Sequence, residues 1–355
     1  MADMKTGGRL PLLFFGMLSL FGGVMAGLAR LGWEVPSAAV QAAGVHGPLM
    51  ITAFFGTVIS LERAVAVGRV WGYLAPLAAG AGGISLLAGA PLPVGQWLGS
   101  LAALGLIAAS VVVLRRQVAA FTVVLTLAAV CWLLGSLLWL STGDPGAGVA
   151  WWLLFLVLTI AGERLELTRF LPTPPLARTL FIVIVGVLLL AAAWAADRVF
   201  AAGLIALALW LLRYDIARRN LLSEGLSRFI ACCLLSGYAW LAAAGLLGLA
   251  GAFTPGDGWR DAALHAIGLG FVFAMVFGHA PIILPAVTRI KIPYHPVLYL
   301  PLTLLHLSLG VRVFGGLSDN FKLRHDAALI NALVLLVFIG TLVTLVSRNR
   351  SRGTR

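Results

Sequence analysis

Charged residues are scarce in this sequence, and their scarcity excludes a soluble protein. Only 11% of the 355 residues are Asp, Glu, Lys or Arg, whereas 61% are hydrophobic and the mean hydropathy is +1.02. Soluble globular domains carry about 25% charged residues, so too few charges are present to cover a water-exposed surface. We therefore predict a polytopic membrane protein with the lipid bilayer as its surroundings.

Cysteine is also rare, and the motifs of several soluble enzyme classes are missing. Cys131, Cys232 and Cys233 all fall inside apolar runs, which argues against a disulfide framework or a zinc ribbon. The sequence contains no Walker motif, no glycine-rich dinucleotide turn and no nucleophile elbow. The net charge of +12 does not indicate a nucleic-acid partner, because the basic residues do not lie on a soluble face.

Hydrophobic runs instead organise the whole chain. Twelve of them approach the roughly 20 residues needed to span a bilayer. If the amino terminus is cytoplasmic, 19 of the 25 Lys and Arg residues, Arg169 and Arg355 among them, fall on the inner side. This asymmetry follows the positive-inside rule. The runs cover residues 10–31, 44–66, 72–91, 95–115, 118–141, 147–171, 178–196, 198–214, 228–251, 261–285, 295–316 and 326–347.

The fold class follows from these runs and from the short loops between them. We predict an all-α integral membrane protein: residues 1–355 form a single bundle of about 12 transmembrane helices, with no soluble domain and with both termini cytoplasmic. The expected location is the cytoplasmic (inner) membrane. The longest polar connection, Arg213 to Arg228, is predicted to form a basic amphipathic helix on the inner surface.

Histidines on two predicted helices stand at the same depth. The second and the tenth helix both run from outside to inside, so His46 and His265 each lie a few residues below the outer surface. Two histidines from different helices are the axial ligands that a six-coordinate haem needs. The alternative is that each is an interfacial histidine bonded to water or to a carbonyl group.

A second histidine, His279, follows His265 on the tenth helix. A spacing of fourteen residues in a regular α-helix puts the two side chains roughly 40° apart on one face and about 21 Å apart along the axis. His279 is expected at the depth of Glu62 and Arg63 on the second helix. This inner neighbourhood is interpreted as a proton-entry site, a second ligand set or an ion-pair network, with His279 and Glu62 as proton-path candidates.

Other polar residues at membrane depth lie on the eleventh and sixth helices. His306 is the deepest histidine and is interpreted as a ligand to a second site or as a proton relay. Arg312 could neutralise an anion such as a haem propionate, or extend to the outer headgroups. Glu163 is a further proton-path candidate, although a surface salt-bridge ladder also explains it. His295 and His325 are expected to be surface residues.

The tenth helix carries a resemblance to a known group. His265-Ala266-Ile267, with Gly270 and Met275, resembles the motif of the NnrS-type membrane proteins, twelve-helix haem proteins associated with denitrification and nitric-oxide stress. The placement of His46 and His265 also resembles the low-spin haem ligation of subunit I in the haem-copper oxidase and nitric-oxide reductase superfamily. The resemblance implies haem held by His46 and His265, and nitric oxide as a small gas ligand.

The sequence also departs from these groups. The sixth and seventh predicted helices contain no histidine, so a copper site is not expected, and the segment Ala280 to Val287 differs from the NnrS-type pattern. The resemblance thus implies a membrane haem-binding protein without copper, in nitric-oxide or respiratory stress metabolism, with one outer haem above a polar inner pocket. His279, His306 and Arg312 are further cofactor-binding candidates. A proton-coupled secondary transporter and an assembly protein without chemistry of its own are the alternatives.

Overall fold

Helices make up the regular structure of this protein. The structure, a computed structural model, describes residues 3–168, 171 and 174–353, and no strand occurs among them. Eleven helices within these ranges are long and apolar enough to cross a membrane. The prediction of an all-α, multi-pass membrane protein is therefore confirmed at this level. Arg169 and Arg355, which the charge count places on the inner side, lie outside the described residues.

Twelve principal helices follow the predicted hydrophobic runs. Each helix packs against the one before or after it in the chain. Their bounds are α1 Thr6–Arg30, α2 Ala43–Val67, α3 Val70–Leu87, α4 Leu92–Arg116, α5 Ala120–Thr142, α6 Pro145–Thr168, α7 Pro175–Ala193, α8 Asp197–Tyr214, α9 Gly225–Leu249, α10 Arg260–Thr288, α11 Pro296–Leu317 and α12 Phe321–Gly353.

The helix α8 accounts for the difference between the twelve predicted runs and the eleven long apolar helices. It is 18 residues long and contains Asp197, Arg198 and Arg213 near its two ends. These charges lower its apolar character, although its middle buries residues such as Leu204 and Leu207. The helix was thus located correctly from the sequence, whereas its status as a membrane span remains a prediction.

Two of the described helices contain a π-helical segment within three residues after a histidine. In α2, the π-helix covers Leu49–Phe55 and follows His46 by three residues. In α10, it covers Ala266–Phe273 and begins immediately after His265. A π-helix bonds residue i to i+5, so each turn holds more residues than in an α-helix. The predicted shared face of His265 and His279, which assumed a regular α-helix, therefore does not hold.

The chain divides into two compact units. One contains the described residues up to Glu163 together with Val287–Arg289, and the other contains the described remainder. In the first unit, α3 packs against α1 and α4, and α4 packs against α5. In the second, α9 packs against α8 and α10, and α11 packs against α12. Buried aromatic rings fill both interiors, with Trp132 stacked on Phe155 at 5.0 Å in the first and Phe277 on Phe338 at 3.8 Å in the second.

The connection between α8 and α9 differs from its prediction. A basic amphipathic helix over Arg213 to Arg228 is wrong for most of that length, because only Ala217–Asn220 is helical between the two long helices. Asp215 explains one break, since its Oδ1 accepts the Ala217 N–H at 2.8 Å in a tight turn. Gly225 explains the other, because its φ of +66° favours glycine and sets the direction in which α9 begins.

Candidate histidine sites

The His46 imidazole is held by α1. Its Nδ1 lies 2.6 Å from the carbonyl oxygen of Gly23. A carbonyl only accepts hydrogen bonds, so Nδ1 carries the proton and the neutral ring has its lone pair on Nε2. Gly27, one turn further along α1, makes room for the ring: a Cβ there would lie 2.8 Å from Cε1 of His46. Gly23 therefore supplies the carbonyl that the imidazole binds, and Gly27 supplies the space that the ring occupies between the two helices.

The π-helical segment after His46 has an identifiable local cause. Pro48 has no N–H, so it cannot donate within the helix. The hydroxyl of Thr52 donates to the Pro48 carbonyl at 2.8 Å. At the far end, Gly56 lies against the Trp132 ring, which a Cβ would approach to 2.5 Å. The widened turn is thus bounded by a proline at its start and by close aromatic packing at its end.

The His265 imidazole is held by its own helix and by a carboxylate. Its Nδ1 lies 2.8 Å from the Asp261 carbonyl oxygen and 3.3 Å from the Asp261 carboxylate. Both acceptors require a proton on Nδ1, so when the ring is neutral its lone pair is on Nε2. A histidine whose Nδ1–H is fixed by a carbonyl or carboxylate has the usual arrangement of a metal-binding imidazole.

Arg312 completes this arrangement from α11. Its Nε donates to Asp261 Oδ2 at 3.0 Å and its Nη2 donates to Oδ1 at 2.9 Å, a bidentate ion pair. The Arg312 side chain is only 8% exposed, whereas Asp261 is 27% exposed. Arg312 was predicted to bind a haem propionate or to extend to lipid headgroups. Its guanidinium already binds Asp261, so either role would use the N–H groups that remain. We call His265, Asp261 and Arg312 the carboxylate triad.

Asp261 was missed in reasoning from the sequence. It stands four residues before His265, a spacing that places two helical side chains on one face. The four-residue spacing could therefore have indicated the contact between Asp261 and His265. The ion pair with Arg312 joins α10 to α11, and residue spacing cannot indicate a contact between two helices.

Both ring nitrogens of His279 have partners in the second unit. Nδ1 donates to the Met275 carbonyl at 2.8 Å, and Nε2 lies 3.2 Å from Nη2 of Arg164. A guanidinium only donates, so Nε2 accepts this hydrogen bond. The Arg164 side chain is itself buried. The contact of His279 is therefore a hydrogen bond with Arg164, and the proton-entry site, the second ligand set and the ion-pair network all stay predictions.

Two further buried residues extend this network. The Tyr238 hydroxyl donates to Asp215 Oδ2 at 2.6 Å, and both side chains are buried. Arg164 interacts electrostatically with Tyr238. We call Arg164, His279, Tyr238 and Asp215 the buried polar cluster. The cluster thus contains a buried carboxylate and a buried guanidinium within the second unit. Asp215 and Tyr238 were not predicted as site residues from the sequence.

His306 has the opposite tautomer from the other membrane histidines. The indole N–H of Trp240 donates to His306 Nδ1 at 3.0 Å. Since an indole nitrogen cannot accept, Nδ1 bears the lone pair and Nε2 carries the proton. The Nε2 atom is buried and has no hydrogen-bond partner among the described residues. The neutral ring is therefore a hydrogen-bond donor at Nε2, which favours the relay interpretation over the ligand one.

Trp240 also connects His306 to the π-helical segment of α10. Gly270 lies against the indole so closely that a Cβ would overlap Cγ and Cβ of Trp240. The indole and imidazole planes are 23° apart, with ring centroids separated by 6.5 Å. Gly270, part of the motif that carries the NnrS-type resemblance, thus provides the space that Trp240 needs to reach His306.

The carboxylates proposed for proton transfer are half-buried, and the remaining histidines lie in peripheral positions. Glu62 lies in α2 and Glu163 in α6, each of intermediate exposure. His295 is exposed, as expected, and its Nδ1 accepts the Val297 N–H at the start of α11. His325 pairs with Asp326 at 2.9 Å and its side chain is 25% exposed.

Within the described ranges, no group of three or more His, Cys, Asp and Glu side chains could hold a metal ion. A bis-histidine haem takes one imidazole on each side of the porphyrin. The carbonyl hydrogen bonds at Nδ1 of His46 and His265 fit such a ligand, and they equally fit the alternative of two interfacial histidines bonded to carbonyl groups.

Comparison with known proteins gives a family and no activity. No curated protein matches the sequence. A model of the family described as DUF8744, a domain of unknown function, matches residues 9–347. Because this match spans nearly the whole sequence, the chain belongs to the DUF8744 family.

Proposed function

We propose that this protein is a haem-binding protein of the cytoplasmic (inner) membrane, with His46 and His265 as the axial ligands. The proposal rests on one observation: both imidazoles donate a hydrogen bond from Nδ1 to a backbone carbonyl. In the neutral ring the lone pair is then on Nε2, the nitrogen that would bind iron. Both rings also precede a π-helical segment, a feature frequent at functional sites. No copper site forms part of the proposal.

The finer topology belongs to the same proposal. With α8 counted as a span, the chain has twelve transmembrane helices, and the distribution of Lys and Arg supports cytoplasmic termini. His46 and His265 then lie near the outer surface, and the buried polar cluster lies toward the inner surface. The likeness of the His265 motif to NnrS-type proteins supports nitric oxide as the gas ligand and a role in nitric-oxide or respiratory stress metabolism.

Each surrounding residue then has a defined task. A haem held by His46 and His265 would supply one-electron chemistry, and a diatomic gas would bind the iron only by displacing one of the two imidazoles. Asp261 keeps the proton on His265 Nδ1 and makes that imidazole a more electron-rich ligand, while Arg312 keeps Asp261 ionised and in place. His306, with a buried N–H at Nε2, acts as a hydrogen-bond donor or proton relay.

The experiment that tests this proposal is a visible spectrum of the protein purified in mild detergent from haem-replete cells, before and after dithionite. We expect a Soret band that shifts on reduction. His46→Ala and His265→Ala should each abolish the low-spin spectrum, whereas His306→Ala should keep it. The control is His295→Ala, since His295 is exposed and only caps a turn. A colourless wild-type preparation would contradict haem binding.

A proton-coupled secondary transporter is the second candidate, and the buried polar cluster favours it. Arg164, His279 and Asp215 are ionisable groups in the interior of a membrane protein, where they commonly mark an ion pathway. Proteoliposomes containing a pH-sensitive dye would show potential-driven proton flux, and His279→Gln should reduce it about tenfold while His295→Ala leaves it unchanged. Wild-type flux equal to that of protein-free liposomes would exclude this candidate.

A further inference from the structure

A cavity of about 500 Å³ lies at the start of α9, and no histidine is among its lining residues. This volume is in the range of small-molecule sites, roughly 300–1,000 Å³. Its wall contains a carboxylate, a guanidinium, a thiol and two phenols, all from the second unit. The lining residues are Glu224, Gly225, Arg228, Cys232, Tyr294 and Tyr299.

Packing positions the Tyr299 phenol. The Tyr299 ring meets the Phe229 ring edge-on, with centroids 5.2 Å apart, and the Cys232 thiol lies 4.0 Å from the Tyr299 hydroxyl. Tyr294 lies beside the first residue of α9, where a Cβ added to Gly225 would be 3.8 Å from its ring. The cavity is therefore bounded by ordered side chains on one side and by the first turn of α9 on the other.

The two charges of the cavity stand four residues apart in the sequence and do not neutralise each other. Glu224 precedes α9 and Arg228 lies in its first turn. Among the described residues, neither side chain forms an ion pair or a hydrogen bond, although Arg228 interacts electrostatically with Tyr299. Glu224 has an extended backbone before the helix, so the i to i+4 pairing of two helical side chains does not apply to it. Both side chains are exposed. Here both line the cavity, so each is available to a ligand.

The position of the cavity relates it to the lipid surface. It lies where a membrane-length helix begins, at the end of a loop that carries Leu222, which is 91% exposed. Leu300, in the first turns of α11, is 53% exposed. Apolar side chains that project at the end of a membrane span are suited to contact with acyl chains beside a headgroup.

We propose that this cavity binds a zwitterionic aminoalkyl phosphate, such as the headgroup of an ethanolamine phospholipid. Arg228 and the two tyrosine hydroxyls bind the phosphate, and Glu224 binds the ammonium. A purely anionic headgroup is disfavoured because it would place a negative charge beside Glu224. A trimethylated ammonium is disfavoured because it has no N–H to donate to the carboxylate.

The test is native mass spectrometry of the delipidated full-length protein, titrated with ethanolamine, glycerol and choline phospholipids and with free phosphoethanolamine. The ethanolamine lipid should bind at least tenfold more tightly than the glycerol and choline lipids. Arg228→Gln should weaken it about tenfold, as for loss of a charged hydrogen bond. Glu224→Gln should remove the preference for ethanolamine over glycerol headgroups.

Arg219→Gln is the matched control, because Arg219 belongs to the same basic connection but does not line the cavity. Tight binding of free phosphoethanolamine would identify a soluble ligand, and binding of the lipid alone would identify the headgroup; either result supports the site. Equal affinity for glycerol and ethanolamine lipids would overturn the proposal. So would Arg228→Gln and Glu224→Gln variants that bind like Arg219→Gln. The outcome is independent of haem binding, because no histidine lines the cavity.

Discussion

The surroundings of His46 and His265 differ although the two rings present the same nitrogen. His46 is held by packing: the Gly23 carbonyl takes its proton and Gly27 leaves space for the ring. His265 is held by charge, since Asp261 contacts its Nδ1 and Arg312 binds Asp261. The same tautomer can thus be enforced by a backbone carbonyl with tight steric fit or by a buried ion pair. These two devices should respond differently to mutation.

The largest expected effect concerns the carboxylate triad. Asp261→Asn leaves the buried Arg312 guanidinium without its counter-ion, and we expect a loss of about 3 kcal/mol in the free energy of unfolding. Titration with SDS in mixed micelles, followed by circular dichroism, would measure it. The combined replacement Asp261→Leu with Arg312→Met should recover most of the loss, because no uncompensated charge remains.

A second histidine–aspartate contact in the chain provides the control for this prediction. Asp326→Asn removes the partner of His325 at an exposed position, where Asp326 is 51% exposed, and should cost about 0.5 kcal/mol or less. Equal losses in Asp261→Asn and Asp326→Asn would show that the triad contributes no more than a surface pair, and the contrast between charge and packing would fail.

The next effect concerns the steric fit around His46. Gly27→Ala introduces a Cβ 2.8 Å from Cε1 of the imidazole, so either the ring or α1 must shift, and we expect a loss of about 2 kcal/mol in the same unfolding assay. Gly186→Ala, inside α7, is the control, because a Cβ at Gly186 meets nothing within 4 Å. That substitution should be neutral or stabilise by about 0.5 kcal/mol through helix propensity. A neutral Gly27→Ala variant would show that His46 is not tightly seated.

The smallest effect concerns the hydrogen bond that sets the tautomer of His306. Trp240→Phe keeps an aromatic ring against Gly270 but removes the donor to His306 Nδ1, at an expected cost of about 1 kcal/mol. Trp97→Phe, at a side chain that is 57% exposed, should cost less than about 0.5 kcal/mol. If the two substitutions prove equivalent, the indole–imidazole bond contributes nothing to stability.

The sequence was informative about helices and less informative about sites. All twelve runs correspond to helices, and the charged ends of α8 explain why one of them has less apolar character. The π-helical segments escaped prediction, because hydrophobic content gives no signal for an i to i+5 hydrogen bond. Asp261 stands one turn from His265 in the sequence, but its pairing with Arg312 joins two helices and leaves no trace in residue spacing.

What the sequence determined by itself is the membrane-spanning helical architecture, because an apolar chain in lipid must satisfy its backbone hydrogen bonds within each segment. The tertiary structure alone decided the partner of each imidazole. His46 meets a carbonyl 23 positions away, His306 an indole 66 positions away and His279 a guanidinium 115 positions away. These partners come together only when the helices pack. The partner then decides which ring nitrogen carries the proton, because a carbonyl oxygen needs a protonated nitrogen and an indole N–H needs an unprotonated one.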